Sequence, residues 1–314
     1  VVKYLDNMSK ANDIRPLHPT ITFRLGTALI RNNRTEEGIN ILEKSLMLNA
    51  RQPLEEDEDL KDLRQSPAYS ELLSFRDSLL IPVVSGEVIM TIPERDLHIE
   101  GLAYDQVSGD WYFGSVHKRK IIKHSESGEL LTFKAFKEDG LMAVMDLEID
   151  SERRILWVTS VPAREMMDYT DKSAAAVYCY DLSSGSLIAK YQPGDNLEHW
   201  FGDLALDSVG NVYISDSFTN NIYQIIDDRI ELWIEGHKTF GNLQGIDVSD
   251  NVVVVSDYLN SLYRIDRSTK RITQMQNTHK ELILKGTDGV SIHGSDLIVT
   301  MNGLVPNRVL KLTL

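Results

Sequence analysis

From about residue 82 onward, apolar and polar residues alternate in short runs separated by turn residues, and one arrangement returns five times. An apolar run leads to an Asp or a polar turn, and a second apolar run follows. The copies begin at Glu100 (EGLAYDQVSGDWYFGS), Met145 (MDLEIDSERRILWVTS), Gly202 (GDLALDSVGNVYISDS), Gln244 (QGIDVSDNVVVVSD) and Asp288 (DGVSIHGSDLIVTMN), 42 to 57 positions apart. Period-two alternation predicts strands, and self-similarity at this spacing predicts the blades of a β-propeller.

Four strands per blade, counted from pore to rim, account for most of this region. Blade one is predicted at 100–105, 110–115, 119–124 and 129–134, with Gly109 and Gly128 in its turns. Blades two, three and four follow at 145–192, 202–235 and 244–276. Blade five has segments for only three strands, at 288–292, 295–300 and 307–312. A further strand-like segment, 86–92, precedes blade one and is expected at the rim, where it could supply the missing strand. The rival expectation is a further C-terminal blade beyond this chain, with an open ring.

Residues 1–81 have a different period. Leu25, Leu29 and Ile30, then Ile39, Leu42, Leu46 and Met47, fall at helical spacing on either side of Asn32-Asn33-Arg34. Thr35-Glu36-Glu37 suits a helix start, because acids there face the positive end of the helix dipole. A helical hairpin is predicted over 21–49 and a third helix over 67–79. The acidic run Glu55–Asp59 reads as a solvated loop or helix start. Leu25-Gly26, Leu29, Gly38, Leu42 and Ser45 resemble the apolar and small positions of a tetratricopeptide repeat. The aromatic and Pro positions of that motif are unmatched. The segment reads either as a cap on the propeller or as a site for a protein partner. The expected division is therefore a helical segment at 1–81 and a propeller at 82–314.

Composition narrows the partners. The 314 residues carry a net charge of −14, which repels phosphate backbones and argues against nucleic acid. No apolar run is long enough for a membrane-spanning helix. Cys179 is the only cysteine and lies in a strand pattern, so it reads as packing. The compartment stays open among cytoplasm, periplasm and exterior. No G-x-S-x-G, Walker A, H-E-x-x-H or C-x-x-C motif is present.

Strand parity places the first residue of every repeat at one face of the pore. Glu100, Gln244 and Asp288 are oxygen donors there, two carboxylates and an amide, which suit a hard cation such as Ca²⁺; equally, polar pore residues can simply hold water. His117 and His199 fall near the same face and are candidate bases. The long loop 161–174 also opens there.

The repeat openings Glu100-Gly101, Phe201-Gly202-Asp203, Gln244-Gly245 and Asp288-Gly289 resemble those of the regucalcin, gluconolactonase and paraoxonase superfamily. DSVGNVYISDSFTNNIYQI in blade three also resembles an NHL repeat. The first resemblance implies a mainly β, six-bladed propeller with a divalent cation in its tunnel, and hydrolysis of lactones or esters. It implies metal ligation by Glu100, Gln244 and Asp288, with Gln244 standing where the family has Asn. Asp203 keeps the family's Asp and, with His199, is a candidate to activate water. Two departures matter: Gly202 replaces a family Asn, and loop 161–174 has no His where paraoxonases carry a catalytic one. Two function classes follow, a Ca²⁺-dependent hydrolase and a non-catalytic propeller that binds a ligand or a protein.

Overall fold

The computed structural model describes residues 2–170, 174–249, 251–276 and 282–313. The chain divides into two compact units. One holds the N-terminal residues through Val88 with 282–285 and Met301–Val309, and the other holds most of the rest.

The N-terminal unit has four α-helices: α1 (Val2–Ile14), α2 (Pro19–Arg31), α3 (Thr35–Leu48) and α4 (Pro67–Leu80). The sequence predicts three. It misses α1, which buries only Leu5 and so carries little apolar periodicity. Pro19 and Pro67 open α2 and α4, where a missing N–H is harmless. The Ser66 hydroxyl caps α4 by accepting from Tyr69 N at 3.3 Å. The hairpin packs closely because two glycines meet in it: a Cβ on Gly38 would lie 2.9 Å from the carbonyl oxygen of Gly26. The acidic run is not simply solvated. Asp57 pairs with Arg24 at 2.6 Å and Asp59 with Arg31 at 3.1 Å, so it neutralises α2.

The second unit is a five-bladed β-propeller. Blade one is β1 (Ile99–Asp105), β2 (Asp110–Ser115), β3 (Lys120–His124) and β4 (Leu130–Lys134). Blade two is β5 (Ala143–Asp150), β6 (Ile155–Val161), β7 (Ala176–Asp181) and β8 (Leu187–Tyr191). Blade three is β9 (Phe201–Leu206), β10 (Val212–Asp216), β11 (Asn221–Ile226) and β12 (Arg229–Ile234). Blade four is β13 (Leu243–Val248), β14 (Val252–Asp257), β15 (Leu262–Asp266) and β16 (Ile272–Gln274). Blade five has three strands among the described residues, β17 (Thr287–His293), β18 (Asp296–Met301) and β19 (Arg308–Thr313). Every blade is an antiparallel meander.

The segment 86–92 is not a strand, contrary to the sequence expectation. A strand needs a paired edge, and this segment is paired in no sheet among the described residues. Its Met90 and Ile92 instead pack on Leu97, Phe113 and Ile122 of blade one, while Val88 and Ile89 stay exposed.

Side chains of adjacent blades interlock into successive cores: Tyr112, Leu147 and Tyr178 between blades one and two, Trp157, Phe201 and Tyr223 between two and three, Tyr213, Ile246 and Tyr263 between three and four. The inner strands pack in the order β1, β5, β9, β13, β17, and β17 shares no comparable packing with β1 among the described residues. One repeat position records this. Leu147, Leu204 and Ile246, third in their repeats, are 1, 2 and 2 % exposed, whereas Leu102 at the same position is 53 % exposed. This position faces the preceding blade in blades two to four, and among the described residues no inner strand packs against that side of β1.

The Asp at the end of the inner strands of blades one, two and three is a turn residue. Asp105 accepts from Val107 N at 3.1 Å, Asp150 from Arg153 N at 2.9 Å and Asp207 from Asn211 N at 2.8 Å. Arg154 from blade two reaches back to Asp105 with two bonds of 2.8 and 2.7 Å, joining the blades at their far ends.

In blades one and four the second position of the repeat is pressed against the next inner strand. A Cβ on Gly101 would lie 2.6 Å from Asp146 Cα, and one on Gly245 would lie 2.6 Å from the Asp288 carbonyl oxygen. Backbone cannot yield as a side chain can. Gly245→Ala is therefore expected to lower stability by about 1–3 kcal/mol, the usual range for overpacking, read as an earlier urea midpoint; an unchanged midpoint would show that the blades can part freely there.

Candidate functional site

In blades one to four the first residue of the repeat sits at an irregularity in pairing between the two innermost strands. The register shifts between Ile99 and Leu102, between Val144 and Asp146, beside Asp216, and between Leu243 and Ile246. Such bulges free backbone groups and re-aim side chains. Hydroxyls on the neighbouring strand satisfy the freed groups: Thr159 Oγ1 accepts from Asp146 N at 3.0 Å, Ser256 Oγ from Gly245 N at 2.7 Å and Thr300 Oγ1 from Gly289 N at 2.9 Å. Ser215 and Ser256 also donate to the carbonyls of Gln244 and Asp288, the first residues of the following blades. The mouth is thus a row of repeat openings carrying Glu100, Met145, Gly202, Gln244 and Asp288, with bulges at the first four.

The predicted oxygen donors are placed as follows. Glu100 is exposed, with Oε1 3.0 Å from His98 Nε2. Gln244 is half-buried and donates its amide N–H to Asn242 Oδ1. Its Oε1 lies 4.0 Å from the point a Cβ on Gly202 would occupy. Asp288 is half-buried on β17, close enough for its charge to raise the pKa of Tyr258, after burial of that phenol. Ca²⁺ takes six to eight oxygens. This mouth offers two carboxylates and one amide, with none from Met145 or Gly202. Among the described residues no three His, Cys, Asp or Glu side chains come together in a group able to hold a metal ion. These residues alone do not make a Ca²⁺ shell.

His199 lies just before β9 and is buried, 8 % exposed. Its Nδ1 is 2.7 Å from Asp216 Oδ2 and its Nε2 is 2.8 Å from Asp195 Oδ1. Burial works against the charged ring, but the two carboxylates outweigh it and hold the pKa above its ordinary value. Asp216 is fixed in turn by Trp200 N at 2.9 Å and the Thr219 hydroxyl at 2.7 Å. Asp257 does the same in blade four, accepting from Gly241 N at 2.6 Å and Asn242 N at 3.1 Å. His199 and these carboxylates tie the loop entering each inner strand to the strand beside it.

Asp203 does not face the mouth. It is second in its repeat, and its Oδ2 accepts from Ile246 N of blade four at 2.8 Å. Asp146 stands one blade earlier and accepts from Leu204 N at 3.1 Å; Asp247 accepts from Ile292 N at 2.6 Å. The three carboxylates form a relay along the inner strands, one the sequence reading singles out only at Asp203. Its signal was the Gly-or-Asp choice at the second position. Loss of water raises the pKa of all three, and a bond between Asp146 and Asp203 couples that pair. Glu148, beside them, is pushed to about 8 by loss of water and then by Asp146 and Asp247. Part of loop 161–174 falls outside the described residues. Its described portion meets His117, whose Nδ1 is 2.7 Å from the Glu165 carbonyl oxygen.

No protein-family model matches this chain, and no curated protein matches it by sequence. Its fold does have solved relatives. A structure from a nidogen–laminin complex is similar with a TM-score of 0.54 at 17% identity, over 68% of this chain and 75% of that one. A structural-genomics target provisionally named a gluconolactonase is similar with a TM-score of 0.52 at 15% identity, over 70% and 78%. At these identities the likeness is one of fold.

The shared proton of Asp146 and Asp203 has a measurable consequence. Because the folded pKa values are raised, the folded pair holds a proton that the unfolded chain releases above about pH 4. Its contribution to stability is greatest below that and falls as pH rises through the folded values. Asp203→Asn keeps an acceptor for Ile246 N–H and a donor for Asp146 without a titrating proton. It is expected to match or exceed the parent protein in melting temperature at pH 8, with a smaller change between pH 5 and 8. Asp203→Ala orphans the Ile246 N–H and is expected to lose about 1–3 kcal/mol. Equal loss from both variants in thermal denaturation would contradict the shared-proton bond.

Proposed function

We propose that this propeller is a binding module whose pore mouth receives a ligand without turning it over. The observation that carries the reading is the state of the two candidate bases. A general base must present a free lone pair to the proton it removes. Both nitrogens of His199 lie on carboxylates, which favours an imidazolium with no lone pair to give. Asp203 is spent on Ile246 N–H and on Asp146, and it points along the ring of inner strands. What the mouth offers is recognition chemistry: the Glu100 and Asp288 carboxylates and the Gln244 amide oxygen, at the repeat openings, in a chain of net charge −14. A cationic or hydroxyl-bearing ligand suits that rim. One of the structures similar in fold comes from a protein–protein complex, which is in keeping with binding.

A second reading is Ca²⁺-dependent hydrolysis of lactones or esters. It is favoured by the relative provisionally named a gluconolactonase and by Gln244, whose amide oxygen leans toward the space left by Gly202. In that reading Glu100, Gln244 and Asp288 would hold the cation, with waters completing its shell. The cation would supply polarisation of a carbonyl.

A panel of lactones and aryl esters, assayed with Ca²⁺ and with chelator, separates the two. The expected outcome is background hydrolysis throughout, unchanged by chelator or by Asp288→Asn. Turnover above background that falls with chelator and with Asp288→Asn would overturn the binding reading in favour of the hydrolase.

A further inference from the structure

A cavity of about 480 Å³ opens between blades three and four, at the end of the blades opposite the mouth. Tyr213, Gln224 and Trp233 line it from β10, β11 and β12. Asn251, Asp266 and Arg267 line it from the two turns of blade four at that end. Its volume lies within the range of small-molecule sites, about 300–1,000 Å³.

The charges in this cleft are already used. Arg267 pairs with Asp207, and its Nη2 donates to the Tyr213 hydroxyl at 3.0 Å and its Nη1 to the Ser249 carbonyl at 3.3 Å. Asp266 is held at about 2 by Thr269 N and by the hydroxyls of Ser268 and Thr269, so it is a carboxylate locked into its turn. The side-chain amides of Gln224 and Asn251, by contrast, make no hydrogen bond within the protein among the described residues. Trp233 lines the same cavity, set edge to face against Tyr213 with ring centroids 5.0 Å apart. Lys270 reaches its rim: its Nζ stands over the Trp233 ring, 5.9 Å from the centroid, and donates to the Trp233 carbonyl oxygen at 3.1 Å, which holds that strand in place.

Two free amides offer donors and acceptors in alternation, as does a row of vicinal hydroxyls. The indole offers a flat apolar platform with a polar edge. A ligand with one C–H face and a hydroxyl rim, and without charge, matches all three groups. We infer that the cleft between blades three and four is a binding site for a neutral saccharide, with Trp233 as the platform and Gln224 and Asn251 as the hydrogen-bonding pair. This site is separate from the pore mouth and does not depend on what the mouth binds.

The test uses the full chain and a panel of glucose, galactose, mannose, maltose and cellobiose, followed by calorimetry and by tryptophan fluorescence. At least one sugar is expected to bind saturably, and Gln224→Ala with Asn251→Ala to weaken it about tenfold or more. Asn251→Asp keeps the side-chain shape while replacing donors with charge, and is expected to weaken binding without shifting the denaturation midpoint. Glu100→Gln and Asp288→Asn, at the opposite end, are expected to leave it unchanged. No saturable binding across the panel would overturn the proposal, as would binding that survives the double variant or that falls with the mouth variants. Binding of glucose 6-phosphate but of no neutral sugar would also overturn it, in favour of an anion site at Arg267.

Discussion

Everything at the centre of this propeller depends on one constraint: the innermost strand of each blade has a free edge. Its N–H groups have a sheet partner on one side only, and buried donors left unpaired are costly. The molecule answers at the second position of each repeat. At Gly101 and Gly245 the next inner strand comes so close that no Cβ fits. Where the residue is Asp, the carboxylate crosses to the next strand and accepts an N–H. Asp146 to Leu204 and Asp203 to Ile246 are two links of one solution, and Asp247, two residues further along its strand, makes the third at Ile292. The result is carboxylates committed to architecture in the place where a chemical role would be sought first.

The same economy of roles extends to the outer ends of the inner strands. Asp105, Asp150 and Asp207 close turns, and two of them also receive an arginine from the next blade, Arg154 and Arg267. Asp216 and Asp257 anchor the loops that enter the inner strands, and His199 joins the first of these anchors. An acidic chain built this way need not owe its charge to a metal. Two further polar sets stand apart from these turns and anchors: Glu100, Gln244 and Asp288 at the mouth, and the amides of Gln224 and Asn251 at the opposite end.

The two ends of the blades therefore differ in chemistry. The mouth is acidic, and bulges set its side chains. The cleft between blades three and four has its charges neutralised in place and presents amides beside an indole. A rigid sheet scaffold suits both, because the binding groups sit on strands and tight turns whose backbone is already fixed.

The sequence by itself determined the blades. Period-two alternation and a motif repeated at near-constant spacing are local signals, and they located the strand boundaries of blade one to within a residue or two, as at Asp110–Ser115 and Lys120–His124. Helical periodicity likewise found α2, α3 and α4, and failed at α1, where only Leu5 is buried. Only the tertiary structure decided what the polar residues do. Whether Asp203 serves a substrate or the backbone of blade four depends on how near Ile246 comes, a distance between residues 43 apart in the chain. Whether 86–92 is a strand depends on a sheet edge, which no local propensity supplies. Whether Leu102 is core or surface depends on the presence of a blade against it, though its repeat position is the one that buries Leu147, Leu204 and Ile246. Alternation fixes which residues share a face. The neighbour that meets that face is a matter of long-range packing, and that packing turns an acid into a ligand, a base or a brace.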